Sequence, residues 1–324
     1  GDITVKETSG VDLTAKTDTG TATGVNVGTG KTVDIATAGT VSADVTGASA
    51  YGFKAEKGNT AADSLIDIEA GKDLAVTATA TNGTAAGLYA SGDIAKITYK
   101  ADGALDLNVS NTSGDAYGIR TANGGVISGE AANSGSVTVE ATSGDAWGLA
   151  ATNGGKLSGD ANRAISNVTV TAKTAGKTAY GLFASGDAAI NGTNIKQLTV
   201  NSAGSGAGIY ANNSSVDVKA DNVTVSASSA LGVAADNSGS VSADFGSLSV
   251  TAKDGLAYGI SVNSNKASSV AVAGGLTVKG ANGGAGIELS DAAHHVTVGG
   301  LTDVTIKEDG DNAVAVDDGS TAVL

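Results

Sequence analysis

The sequence predicts an all-β fold: a single right-handed parallel β-helix, or β-solenoid, of about eleven coils with three short strands each. Three observations carry that prediction. A residue, then Gly, then an aliphatic or aromatic residue recurs around Gly24, Gly52, Gly87, Gly118, Gly148, Gly181, Gly208, Gly232, Gly259 and Gly286, at intervals of 24 to 35 residues, and Ala313 marks an eleventh centre. Each interval holds stretches in which apolar and polar residues alternate, the pattern of half-buried strands. The composition also suits stacked coils: Gly is 48 of 324 residues, proline is absent, and aromatics are 3% of a chain whose apolar residues are mostly Ala, Val, Leu and Ile. A strand hydrogen-bonded on both sides cannot spare a backbone donor, which is why the missing proline matters. A solenoid grows by adding coils, so one segment over 1–324 is expected, with a less regular portion at about 1–50.

The clearest repeat is Ala116 to Leu149, AYGIRTANGGVISGEAANSGSVTVEATSGDAWGL. Tyr117-Gly118-Ile119 opens a first strand, Asn123-Gly124-Gly125 turns it, Val126-Ile127-Ser128 is a second strand, and Val137 to Ala141 a third. Earlier in the chain, Val11 to Ala15 matches the third strand and Thr23 to Val27 the first, so the solenoid begins within the first fifty residues. The wide interval between Gly52 and Gly87 leaves room for a larger loop at Lys57 to Ser64. Asn and Gly tolerate left-handed backbone angles, so Asn123-Gly124, Asn153-Gly154, Asn212-Asn213, Asn237-Ser238 and Asn263-Ser264-Asn265 are expected as turns whose amides stack between coils.

Strict alternation assigns the faces. In the first strand it places Tyr51, Phe53 and Ala55, then Tyr117, Ile119 and Thr121, then Trp147, Leu149 and Ala151 inside. The column that also holds Tyr180 and Tyr258, with Ala86, Ala207, Leu231 and Ala285 in other coils, therefore reads as core and not as an aromatic sugar platform. The Gly column then points outward, with Lys54, Tyr89, Arg120, Ala150, Phe183, Tyr210, Ala234, Ser261 and Glu288 two residues beyond it. Something must require glycine there, either a bend or the close approach of a neighbouring segment. The third strand places Val137, Val139, Ala141 and their equivalents inside, and a hydroxyl ladder of Thr138, Thr169, Thr199, Thr224, Ser249, Thr277 and Thr305 outside. A second outward rank is Glu140, Thr171, Asn201, Ser226, Thr251, Lys279 and Lys307.

The chemistry for catalysis is sparse. Cysteine is absent, and the two histidines, His294 and His295, are neighbours that a strand sends to opposite faces; both read as surface residues. Ser-Gly-Asp at 91–93, 113–115, 143–145 and 185–187 is a repeat turn and not a nucleophile motif. The acidic cluster Asp309, Asp311, Asp317 and Asp318 fits no calcium-loop spacing and reads as a solvated edge. Enzymes built on solenoids gather carboxylates with Arg or Lys on one outward face, whereas the only arginines here are Arg120 and Arg163. No cofactor or metal is expected. The net charge of −14 argues against nucleic acid or an anionic membrane as partner, and no apolar run is long enough to insert into a membrane. Methionine is missing even at position 1, so a longer precursor is expected.

Repeats of the form Ala-Tyr-Gly-Ile-x-x-x-Asn-Gly-Gly, followed by Val-x-Val and Leu-Thr-Val strands, resemble the passenger domains of bacterial autotransporter adhesins, which have a pectin-lyase-like β-helix and use type V secretion. The resemblance covers nearly the whole chain. It implies display outside a Gram-negative cell, anchored in the outer membrane through a C-terminal barrel that lies outside this segment, as does the signal peptide, or release as a secreted product. The missing cysteines suit threading through a barrel, and no serine-protease module is recognisable. The expected function is a non-catalytic adhesive stalk whose partners are its own copies on neighbouring cells, or a host-surface or matrix protein or glycan. Its candidate binding surface is Phe183, Tyr210, Tyr89 and Arg120, with the threonines Thr138, Thr169, Thr199, Thr224 and Thr277. Phe183 and Tyr210, flanked by Ala150 and Ala234, form a small apolar strip. A polysaccharide-degrading β-helix and an ice-binding solenoid are the alternatives; the irregular second outward rank weighs against the latter.

Overall fold

The computed structural model describes residues 2–57, 63–133, 135–159, 165–291, 293–300, 303–306, 313–316 and 319–324. Among them there is no helix, and the strands pair in parallel from coil to coil as a β-solenoid. The first strands of successive coils form one sheet of eleven, starting at Thr21–Val27 and ending at Val314–Val316. Ala313 lies beside Gly286 in the last of these steps, where an added Cβ on Gly286 would come within 2.6 Å of the Ala313 carbonyl oxygen. The eleventh centre is therefore part of the series.

The second and third strands form a sheet of nineteen. In the early coils they are separate, as in Leu105–Asn111 and Val126–Ala131. In four successive coils they run together as single bent strands, Ala189–Ser202, Ser215–Ala227, Ser240–Ala252 and Ser269–Gly280, before separating again as His295–Val298 and Asp303–Ile306. The sequence explains the change. The Gly centres from Gly181 on are 24 to 27 residues apart, too short for a separate corner loop, and the strand turns the corner through irregularities between Ile190 and Thr193 and between Phe245 and Ser247. Within the first fifty residues, Ile3–Glu7 pairs with Thr32–Thr37 and Gly10–Lys16 with Thr40–Gly47, in the same ladders as the rest.

One continuous apolar core fills the coils, built from Ala, Val, Leu and Ile with Phe53 and Phe245 as its largest members. The third-strand stacks are inside as expected: Val137, Val139, Val168, Val170, Val223, Val225, Leu248 and Val250 are all buried. The first strand departs from alternation. Its Gly points inward, towards Val137 and Val139 at Gly118 and towards Val168 and Val170 at Gly148, and the following residue, Ile119 or Leu149, points inward too. Two successive inward residues reverse the parity of what precedes them. Tyr51, Tyr117, Trp147, Tyr180 and Tyr258 therefore stand outside, and the core reading of that column is corrected. Phe53, Ala55, Ile119, Thr121, Leu149 and Ala151 do face the core.

This geometry decides why glycine recurs. A Cβ on Gly118 would sit 2.6 Å from the carbonyl oxygen of Gly148 one coil on, and a Cβ on Gly148 would sit 2.6 Å from that of Gly181. Backbone approaches backbone at each step, and the facing valines close the remaining space. Left-handed angles belong to the turns instead: Asn123, Asn153, Asn213 and Asn237 have φ of 51°, 49°, 52° and 59°, whereas Asn263 and Ser264, expected as a turn, end the strand Ala257–Ser264 without a left-handed angle. Their amides do link coils, Asn153 donating to Asn123 Oδ1 at 3.4 Å and Asn237 to Asn212 Oδ1 at 2.9 Å.

Other expectations need correction. His294 is buried, 2% exposed, while His295 is exposed. The Ser268 backbone N–H donates to His294 Nδ1 at 3.2 Å, so the proton sits on Nε2, which donates to the Ser290 carbonyl at 2.9 Å. A neutral imidazole with both nitrogens bonded is at ease in the interior. In the threonine column the position after Thr277 is Asp303, and Thr305 pairs with Lys279 in the neighbouring rank. Lys307, Arg163, Asp309, Asp311, Asp317, Asp318 and most of the Lys57 to Ser64 loop lie outside the described residues.

Candidate binding face

With the parity reversed, the residue before each Gly and the residue two beyond it share the outer face of the first sheet. Reading coil by coil, the pairs are Tyr51 and Lys54, Ala86 and Tyr89, Tyr117 and Arg120, Trp147 and Ala150, Tyr180 and Phe183, Ala207 and Tyr210. Three of these pairs set a large residue against an alanine, and three set two large residues side by side. The two columns fill one surface jointly, and eight of the eleven aromatic residues of the chain fall on it, seven in these coils and Tyr258 further on.

The rings make an almost continuous row. Tyr51 and Tyr89 lie 5.5 Å apart between centroids, Tyr117 stacks on Trp147 at 4.4 Å and 6°, and Trp147 on Tyr180 at 6.1 Å and 14°. Tyr180 meets Phe183 at 4.7 Å and Tyr210 at 5.9 Å, and Phe183 stacks on Tyr210 at 5.7 Å and 12°. The gap between Tyr89 and Tyr117 is bridged by Arg120, whose guanidinium lies 4.3 Å from the Tyr117 ring centre and 5.5 Å from that of Tyr89. Lys54 sits 4.6 Å over Tyr51 and pairs with Glu56 at 2.9 Å. Each such cation over a ring face contributes on the order of 0.5–1 kcal/mol at an exposed site. Within the row Tyr117 is itself buried, and with Ala86 and Ala150 it forms a small apolar cluster separate from the core, on which Tyr51, Tyr89 and Trp147 pack.

Carboxylates edge the row. Asp145 Oδ1 accepts the Thr178 backbone N–H at 2.8 Å, and Asp115 Oδ1 accepts that of Asp145 at 3.1 Å. Tyr210 donates to Asp236 Oδ2 at 2.8 Å while Asn212 donates to the Tyr210 hydroxyl at 3.3 Å. Burial raises the Tyr210 pKa to about 12, helped by its bond to Asp236. Burial likewise raises Tyr180, with Asp145 adding to the effect, and raises Tyr117, where Arg120 pulls the other way.

Of the residues singled out from the sequence, the structure brings Phe183, Tyr210, Tyr89 and Arg120 together on this face. Ala150 and Ala234, expected as exposed flanks of the Phe183–Tyr210 strip, are buried instead, at 0% and 3% exposure. Thr138, Thr169, Thr199, Thr224 and Thr277 lie in register on the outside of the third strands, a different face. No hydroxyl-to-hydroxyl bond joins the rungs of that column among the described residues; Thr199 accepts from Gln197 at 3.4 Å. Sequence reasoning missed Tyr51, Tyr117, Trp147 and Tyr180 as residues of the outer face, of which Tyr117 is covered by its neighbours. Only Trp147, which faces Ala150, carried a size-compensation signal in the sequence; Tyr51, Tyr117 and Tyr180 face the large Lys54, Arg120 and Phe183 and carried none.

In comparison with known proteins, no family model matches this chain, and neither a curated protein nor a solved structure matches it.

Proposed function

We propose that this protein is a non-catalytic adhesive stalk of the autotransporter passenger type, displayed outside a Gram-negative cell, which holds cells to one another or to a host surface. The aromatic row on the outside of the first sheet carries the reading. Rings placed in the core would be explained by folding alone. A row of seven on the outer face, four of them (Tyr51, Tyr89, Tyr117 and Trp147) in a secondary cluster separate from the main core, is a surface suited to contact. Aromatic side chains bury much area at little entropic cost and are enriched where binding energy concentrates. The row repeats from coil to coil, so a partner lying along the rod can collect many weak contacts, and such multivalency yields avidity without any single strong site.

The experiment displays this segment on an otherwise non-adherent cell and scores clumping and attachment to host cells or matrix. The proposal expects at least one to rise, clumping alone marking self-association and attachment alone a host ligand. If neither rises while the purified chain cleaves a polysaccharide, the adhesive reading is wrong and the enzyme reading replaces it.

A further inference from the structure

We propose that the groove at the C-terminal end of the aromatic row is a subsite for a neutral, extended glycan chain lying parallel to the solenoid axis; this rests on the adhesive reading and names its ligand class. Successive coils place Tyr180, Ala207, Leu231 and Tyr258 in one outward line. The line is high at both ends and low in the middle. Two rings stand as walls three coil steps apart, about 14 Å at the usual spacing between strands. Between them lies a groove of about 320 Å³ floored by Ala207 and Leu231.

A second observation points the same way. Leu256 lines this groove and is 46% exposed, and the other large apolar side chains left so open, Ile3, Val316, Val323 and Leu324, lie near the ends of the chain. An open leucine beside two tyrosines, Ala207 and Leu231 makes a local apolar surface on the outside of the sheet. The rim is polar: Thr178, Ser205 and Ser229 supply hydroxyls, and Asp236 is held there by the Tyr210 hydroxyl.

Together these features select the ligand. A pyranose presents an apolar face of C–H groups, which carry partial positive charge and meet the negative face of an aromatic ring, and an edge of hydroxyls that bond to hydroxyls and carboxylates. One sugar of an extended chain is about as long as one coil step, so about three units span the walls. No Lys or Arg lines the groove, while Asp236 does, so a sulfated or uronic-acid chain is disfavoured by charge. A second copy of this chain, itself carrying a net charge of −14, is disfavoured on the same ground.

The test titrates the purified chain with cellohexaose, chitohexaose and mannohexaose, and with a heparan sulfate hexasaccharide, by calorimetry and by the fluorescence of Trp147, which stacks on Tyr180. At least one neutral hexasaccharide should bind and bind more tightly than the sulfated one. Tyr258→Ala and, separately, Leu231→Arg, which obstructs the floor, should each weaken it tenfold or more with the circular dichroism spectrum unchanged. The glycan site is overturned if no neutral hexasaccharide binds, if the sulfated one binds better, or if both variants bind as the parent does. Cells that adhere through the segment while no hexasaccharide binds leave the adhesive reading standing and remove the glycan. A bound hexasaccharide with no clumping or attachment does the reverse.

Discussion

At the scale of single residues, the glycine before each inward aliphatic is the position on which the rest depends. It has no room for a side chain because the next coil's carbonyl and the facing valines occupy the space. Gly118→Ala should therefore cost about 1–3 kcal/mol, the usual penalty of overpacking, seen as a lower denaturant midpoint. Gly28, around which an added Cβ meets nothing within 4 Å, is the control, and Gly28→Ala should leave the midpoint nearly unchanged. The tyrosines give a pH signature. A tyrosine in the unfolded chain ionises near pH 10, whereas Tyr210 and Tyr99 are raised to about 12 in the fold, chiefly by burial. The folded state resists losing those protons, so the stability they contribute is fully present below about pH 10 and is lost as pH climbs from there towards 12. Tyrosinate absorbance and the denaturation midpoint, followed together in that window, should show late ionisation and falling stability.

At the scale of the strand, most of the architecture was legible in the sequence. The Gly-centred period located each first strand, and the Val-x-Val runs located each third strand with the correct residues inside. The failure was local. Alternation is a reliable guide only while each residue occupies one pleat, and Gly118-Ile119 and its equivalents send two successive residues inward. The aromatic column was consequently placed on the wrong side of the sheet, and with it most of the candidate face, while Phe183, Tyr210, Tyr89 and Arg120 were placed correctly because they follow the irregularity. His294 was missed for a different reason: its partners Ser268 and Ser290 are brought to it by a neighbouring coil and a turn, which residue type alone cannot announce. The face assignment has a direct consequence. Phe183→Ser with Tyr210→Ser should shift the melting temperature only slightly, because neither ring belongs to the main core. Phe53→Ala, which empties a fully buried position, should cost about 3–5 kcal/mol. Thermal melts of the two variants side by side separate surface from core.

At the scale of the whole molecule, the eleven stacked first strands imply a rod about 50 Å long at the usual strand spacing, and small-angle scattering should return an elongated particle and not a sphere. A rod is the form in which a row of rings becomes a contact surface. It extends the outer face of one sheet over many coils while a narrow core of small side chains keeps it straight. On the adhesive reading, the aromatic row, the cations over it and the carboxylates beside it would offer contact along a line. The most direct measurement is the adhesion of cells displaying Trp147→Ser with Tyr180→Ser, compared with the parent at equal surface density and with the purified variant's melting temperature as a check on folding. The account predicts that clumping or attachment falls to the level of bare cells while the variant stays folded; adhesion undiminished in the folded variant would contradict it.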